Sequence, residues 1–274
     1  MIAINGKEYK LCLFDTNALS EFLKEPKKWI LYFDRKLSIS HTIICYSVFT
    51  LSELWHRKDL FNKYIEVFST FPSAILDGYE SIFQKEVENY NFLKKLSPII
   101  VFPFKLTGNK RSPQEKLRYV IDESDFVQKT KVWREKREFV LKGILELRKH
   151  YPSKKGKYTK KEIEDFNLIA SMHQIGIRNN KFAHSILDTG KAIDLFQFPS
   201  IVSTSYVVFY KFYTDNRSPI LSDVFDIIIS ALLPYVDIVI TEGNLCEIIK
   251  KIQKRHSFLM NLTYIPIKQI QSED

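Results

Sequence analysis

The chain has 274 residues, 45% hydrophobic and 27% charged, a composition that excludes disordered and collagen-like classes. Its longest uncharged window, 195–210, is broken by Pro199 and several Ser and Thr and is shorter than the roughly 20 apolar residues of a membrane span. Cys12, Cys45 and Cys246 are odd in number and widely spaced, which fits neither a zinc site nor a disulfide framework and points to a reducing cytosol. Charge appears early (Lys7, Glu8, Lys10) with no signal-like apolar run, so the expectation is a soluble, cytoplasmic protein without a membrane partner.

Net charge is +9, and its placement matters more than its size. Residues 105–161 hold 18 Lys and Arg against 7 Asp and Glu, so the rest of the chain sums to −2. A basic segment on a near-neutral body attracts polyanions, chiefly through phosphate contacts and counterion release. The ordinary alternative is a solvated helix face.

In chain order, residues 8–14 read as a strand running into Asp15, followed by helical turns at 18–23 and, after Pro26, at 29–33. Residues 41–48 suit a strand or the lead-in to a helix. Leu51, Leu54, Trp55, Leu60, Tyr64 and Val67 fall near the 3.6 period and predict one helix over 49–68, with Glu53 beside its apolar stripe. A short strand at 74–76 and a helix over 77–96 precede an apolar, proline-broken stretch at 99–104. Residues 112–150 carry long, charged helical patterning, 154–161 a basic loop, and 161–175 another helix. An aromatic-rich helix is expected over 198–212, where core packing is favoured over base stacking for Tyr206, Phe209, Tyr210, Phe212 and Tyr213.

Ser222 is a good N-cap for a helix that reaches about Leu233 and stops at Pro234, with Asp223 and Asp226 in its first turn. Residues 236–241 form a second apolar strand that ends at an acid, Glu242, and Gly243 turns the chain into a helix over 244–254. A last strand is expected at 262–267. Strand–helix alternation at both ends predicts a parallel α/β sheet assembled from the two termini, with the middle inserted. The expected division is 1–104, the N-terminal half of that domain, 105–200, a basic helical insertion, and 201–274, the C-terminal half.

If the strands ending at Asp15 and Glu242 are neighbours, those acids converge with Asp223 or Asp226 and with Glu53. Carboxylates gathered in one pocket repel, and a hard divalent cation such as Mg2+ or Mn2+ relieves that repulsion. A metal so held activates water, and acids beside a basic platform suit phosphodiester hydrolysis. Each acid also has an ordinary role. Asp15 could cap the next helix, Glu53 be solvated, Asp223 serve the helix dipole, and Glu242 occupy a surface turn. Asp237, at the start of its strand, reads as structural.

Leu13-Phe14-Asp15-Thr16-Asn17, Ser52-Glu53-Leu54, Asp223/Asp226 and the run from Tyr235 to Glu242 together resemble the PIN-domain pattern over roughly residues 8–75 and 218–267. The resemblance implies a PIN-like three-layer α/β/α sandwich with a central parallel sheet and a largely helical insertion. It also implies a Mg2+- or Mn2+-dependent endoribonuclease that hydrolyses single-stranded RNA. On that basis Asp15, Glu53, Asp226 and Glu242 are the expected catalytic acids, and Asp15, Asp223, Asp226 and Glu242 the expected metal ligands. Asp223 and Asp226 compete for one position, and Glu242 stands where the family more often has Asp. Thr16, Asn17 and Thr241 would orient the carboxylates, and Lys154, Lys155, Lys157 and Arg178 would contact RNA. A toxin or defence role, a homodimer, and an antitoxin or regulatory partner are open within this resemblance. A nuclease of the same fold acting on DNA flaps is open as well, and two further alternatives are carried with it. One is a catalytically inactive PIN-like module that binds RNA or a partner. The other is a metal-free ribonuclease of the HEPN type, because Arg178-Asn179-Asn180-Lys181-Phe182-Ala183-His184 resembles that family's Arg…His motif.

Overall fold

The computed structural model describes residues 1–4, 6–55, 57–68, 72–92, 96–101, 115, 124–214 and 217–273; of these, only the backbone is described for 39, 58, 68, 101, 124–131, 133, 134 and 136. The described chain is α/β, with helices on both faces of a mostly parallel sheet. Its strands are β1 (Ile2–Ile4), β2 (Lys7–Phe14), β3 (Thr42–Ser47), β4 (Ser73–Leu76), β5 (Ile99–Val101), β6 (Ile238–Thr241) and β7 (Thr263–Pro266). They lie in the order β5-β4-β3-β2-β6-β7, with β1 antiparallel to β2 and β5 antiparallel to β4. Strand β2 is therefore central and parallel to both β3 and β6, the products of the N-terminal and C-terminal thirds.

Period-2 alternation assigns the two faces. Leu11, Leu13, Ile43, Cys45, Ala74, Leu76 and Val239 point to one core, while Cys12, Phe14, Ile44, Tyr46, Ile75, Ile238 and Ile240 point to the other. Both sets are buried, so these strands read as continuous apolar runs. The second face is covered by α1 (Thr16–Lys24), α2 (Pro26–Lys36), α4 (Lys58–Phe68) and α12 (Ile267–Gln271). Between β3 and α4 runs the short helix α3 (Val48–Leu54), so the single helix expected over 49–68 is two, with a break at Trp55. Helix α5 (Tyr79–Glu88) is shorter than the 77–96 expectation, of which 93–95 lie outside the described residues.

The first face is covered by α6 (Ser124–His150), α7 (Lys160–Arg178), α9 (Pro199–Phe209) and α11 (Gly243–His256). Ile144, Ile163, Phe166, Ala170, Phe209 and Tyr213 share one core with the sheet residues Leu11, Leu13 and Val239. The helical middle of the chain thus supplies a layer of the sandwich rather than an appendage, while most of 102–123, including part of the basic segment, lies outside the described residues. A third cluster joins Phe49 of α3 and Phe83 of α5 to Ile175 of α7, Ala183 of α8 (Asn180–Leu187) and Val224 of α10 (Asp223–Ser230). The expected core role of the aromatic helix holds: Tyr206, Phe209, Tyr210, Phe212 and Tyr213 are all buried. Ser222 precedes α10 but makes no side-chain cap hydrogen bond, and Pro234 sits in a separate 3-10 turn, Leu233–Tyr235. No helix among the described residues is long and apolar enough to cross a membrane.

One buried carboxylate ties three of these elements together. Glu86 of α5 is 2% exposed and accepts from the Ser200 amide at 2.8 Å, the Ser200 hydroxyl at 2.6 Å and the Tyr235 hydroxyl. Burial pushes its carboxyl from the usual 4.5 up to about 7, against the pull of those hydrogen bonds. A folded-state value above the unfolded one means stability is complete below pH 4.5 and is lost as pH rises through about 7. Glu86→Gln should therefore gain on the unmodified chain between pH 5 and pH 8, by up to roughly 3 kcal/mol. Urea unfolding at the two pH values tests this; parallel stability curves for the two proteins would refute it.

Candidate metal and nucleic-acid site

Strands β2 and β6 are paired in register, Phe14 opposite Ile240, and the Asp15 amide donates to the Ile240 carbonyl at 3.2 Å. The two strand ends therefore deliver Asp15 and Glu242 side by side, where the chain leaves β2 toward one flank of the sheet and β6 toward the other. Such a reversal of strand order opens a crevice at the carboxyl ends of the strands, the usual place for a ligand in an open α/β sheet.

Asp15 is 6% exposed and both its oxygens are occupied. Oδ1 accepts from the Ala18 amide at 2.6 Å, which caps α1, and Oδ2 accepts from the Thr241 hydroxyl at the end of β6. Capping and site geometry thus come from one side chain. Burial pushes the Asp15 carboxyl up to about 6, with the charges of Asp226 and Glu242 adding to the rise and the Thr241 and Ala18 hydrogen bonds opposing it.

Glu242 stands at the N-cap of α11 yet makes no cap hydrogen bond; its Oε1 instead accepts from the Asn17 amide nitrogen at 2.7 Å. Glu53, on α3, accepts from the Thr16 hydroxyl. Thr16, Asn17 and Thr241, expected to orient carboxylates, are each hydrogen-bonded to a different acid of the set.

Asp223 and Asp226 part company. The Asp223 carboxylate is buried, with Oδ1 taken by Lys211 at 3.1 Å and Arg217 at 2.7 Å, and Oδ2 by the Ile220 amide at 2.9 Å. These donors fill it and set it apart from the expected metal ligands. Asp226 is half exposed, pairs with Lys211, and is near enough to raise Asp15. Lys211 itself, 4% exposed in the π-helical turn Tyr210–Thr214, is absent from the sequence-derived set. It lay hidden because a lone Lys in an aromatic run carries no motif.

The donors are all hard carboxylate oxygens, and the charges of Asp226 and Glu242 both act on Asp15. Both observations fit a hard divalent cation. Among the described residues no three His, Cys, Asp or Glu side chains are grouped closely enough to hold a metal ion, so binding would draw the acids inward.

Helix α6 packs against both α3 and α10, the carriers of Glu53 and Asp226. Its Arg137 guanidinium lies 4.6 Å over the Phe225 ring, and Arg148 donates to the Arg217 carbonyl at 2.9 Å. These cations, together with Arg217, stand nearer to the acids by contact than the expected RNA-binding set. Of that set, Lys154 pairs with Glu162 and lies 5.0 Å over the Tyr158 ring, and Lys155 and Lys157 are exposed in the loop before α7. Arg178, the last residue of α7, is 3.4 Å from Glu80 and 4.5 Å over the Tyr79 ring. His184 is exposed on α8.

Protein-family models, curated proteins and solved structures give no match to this chain.

The division between the two aspartates has a measurable consequence. Asp223→Ala removes the buried carboxylate that Lys211, Arg217 and the Ile220 amide share and should destabilise the fold by roughly 3 kcal/mol, the usual effect of breaking a buried pair. Asp226→Asn should stay within about 1 kcal/mol of the unmodified chain, as for a half-exposed pair, yet lose the thermal stabilisation that Mn2+ gives it. Melting curves with and without Mn2+ separate the two; equal loss of stability in both variants counts against the assignment.

Proposed function

We propose that the chain is a metal-dependent endoribonuclease of the PIN kind, hydrolysing phosphodiester bonds of single-stranded RNA. One observation carries the reading. Two adjacent parallel strands end in acids, Asp15 and Glu242, whose charges act on each other and on Asp226 at the crevice between the crossovers. Asp15, Asp226 and Glu242, with Glu53, would hold Mg2+ or Mn2+, which when bound supplies a readily deprotonated water and stabilises charge on the phosphate.

The chain's own groups do the positioning. Thr241 and the Ala18 amide fix the two oxygens of Asp15, so that carboxylate keeps one orientation. Asn17 aims Glu242, and Thr16 aims Glu53. Arg137, Arg148 and Arg217 beside α10 give the RNA backbone a positive approach, adding to the exposed Lys155 and Lys157. Retention of the whole acid set favours an enzyme over an inactive binding module. The ion pair of Arg178 with Glu80 leaves the HEPN-type alternative without an observation in its favour.

Single-stranded RNA incubated with the protein in Mg2+ or Mn2+ should be cut, and EDTA should abolish cleavage. Asp15→Asn keeps an oxygen for the Ala18 amide and so should fold, while cleavage falls by at least about 100-fold, the scale on which metal-site carboxylates act. His184→Ala should cleave normally. Cleavage that survives both EDTA and Asp15→Asn but disappears in His184→Ala would overturn the proposal.

A further inference from the structure

Among the described residues Lys211 is a buried cation paired with Asp226, an acid that the nuclease reading places at the metal site, and nothing in that reading uses it. A lysine 4% exposed is costly unless its charge is matched. Its ammonium is 3.1 Å from Asp223 and is paired with Asp226. Asp223, however, is already neutralised by Arg217 at 2.7 Å and bonded by the Ile220 amide at 2.9 Å. Asp223 is thus shared by two cations, and the charge of Lys211 is divided between Asp223 and Asp226, whose half-exposed carboxylate also acts on Asp15.

The backbone is built to place it there. Helix α9 continues into the π-helical turn Tyr210–Thr214, a rare geometry found mostly at functional sites. Burial is continuous from Ser203 to Tyr213, so the turn lies inside a segment with no solvent-facing side, and Lys211 is buried with Tyr210, Phe212 and Tyr213. Asp223, expected from its sequence position among the metal ligands, is instead the anchor that holds the lysine head beside Asp226.

We infer that Lys211 is the resident cation of the site: its ammonium, paired with Asp226, supplies the positive charge that a second divalent ion would otherwise bring, so the acids would take one divalent cation, not two. The inference rests on the nuclease reading and adds the metal count to it. In two-metal phosphodiesterases the ions sit roughly 3.5–4 Å apart and share carboxylates. A fixed positive charge on Asp226 repels an ion in the second position. It also lowers the affinity of the first and keeps Asp226 turned toward α9.

The test is Mn2+ titration of the full chain by calorimetry and electron paramagnetic resonance, alongside cleavage of single-stranded RNA, for the unmodified protein and Lys211→Met. The unmodified chain should bind one Mn2+ with a mononuclear six-line spectrum. Lys211→Met, which keeps the aliphatic stem but removes the charge, should bind Mn2+ about tenfold more tightly or take a second equivalent. Its cleavage should fall by at least about tenfold. Tighter metal binding with slower cleavage is a combination that mere loss of packing does not produce. Two Mn2+ in the unmodified chain, or a variant with unchanged cleavage or weaker Mn2+ binding, overturns the inference and leaves the nuclease reading standing. No Mn2+ binding by the unmodified chain overturns both. Should Lys211→Met fail to fold, the stoichiometry and spectrum of the unmodified chain still decide the metal count.

Discussion

The hydrogen bonds at Asp15 hold this architecture together at its functional end. Strand β2 is buried on both faces, so the acid at its end has almost no water to solvate it. Its two oxygens are instead satisfied by the two elements it must join: the first turn of α1 through Ala18, and the end of β6 through Thr241. The second bond crosses 226 residues of sequence and closes the sheet between the N-terminal and C-terminal thirds. Asp15 thus stabilises the junction only in the arrangement that also brings Glu242 alongside it. Burial raises the Asp15 carboxyl most, the charges of Asp226 and Glu242 add to it, and a divalent cation would offset that added part.

The opposite end of the same strands shows the contrast. Asp237, just before β6, accepts from the Leu11 amide at 2.8 Å and from the N-terminal ammonium at 2.6 Å. It meets donors and a positive charge rather than other acids, so it is a structural clip. Two acids five residues apart on one strand therefore do different work because alternate ends of a parallel sheet offer different neighbours. Glu86 makes the same point within a helix. A hydroxyl-lined pocket with no cation keeps its carboxyl near neutrality, whereas Lys211 and Arg217 keep Asp223 paired in comparable burial.

Much of the fold was legible because burial on both faces leaves a plain signature. The apolar runs at Leu11–Phe14 and Ile238–Thr241 each end in an acid, and both are strands that neighbour one another. The features that escaped have physical reasons. Strand β1, at Ile2–Ile4, is three residues long and pairs only with β2, too short for alternation to register. The break at Trp55 lies inside an apolar stripe whose period continues on both sides. Ser222 has the right chemistry for a cap but sits in helical backbone geometry, so its hydroxyl has no amide to accept from. The choice between Asp223 and Asp226 could not be made from spacing, since both fall in the first turn of α10. Only the tertiary contacts of Lys211 and Arg217 tell them apart.

Those contacts also explain why the helical middle of the chain belongs to the site rather than to a separate module. The π-helical turn after α9 delivers Lys211, and α6 of the middle segment packs on α3 and α10. A sheet that gathers acids gains charge density at the expense of local repulsion. A layer that supplies buried and peripheral cations limits that repulsion and adds attraction for a polyanion.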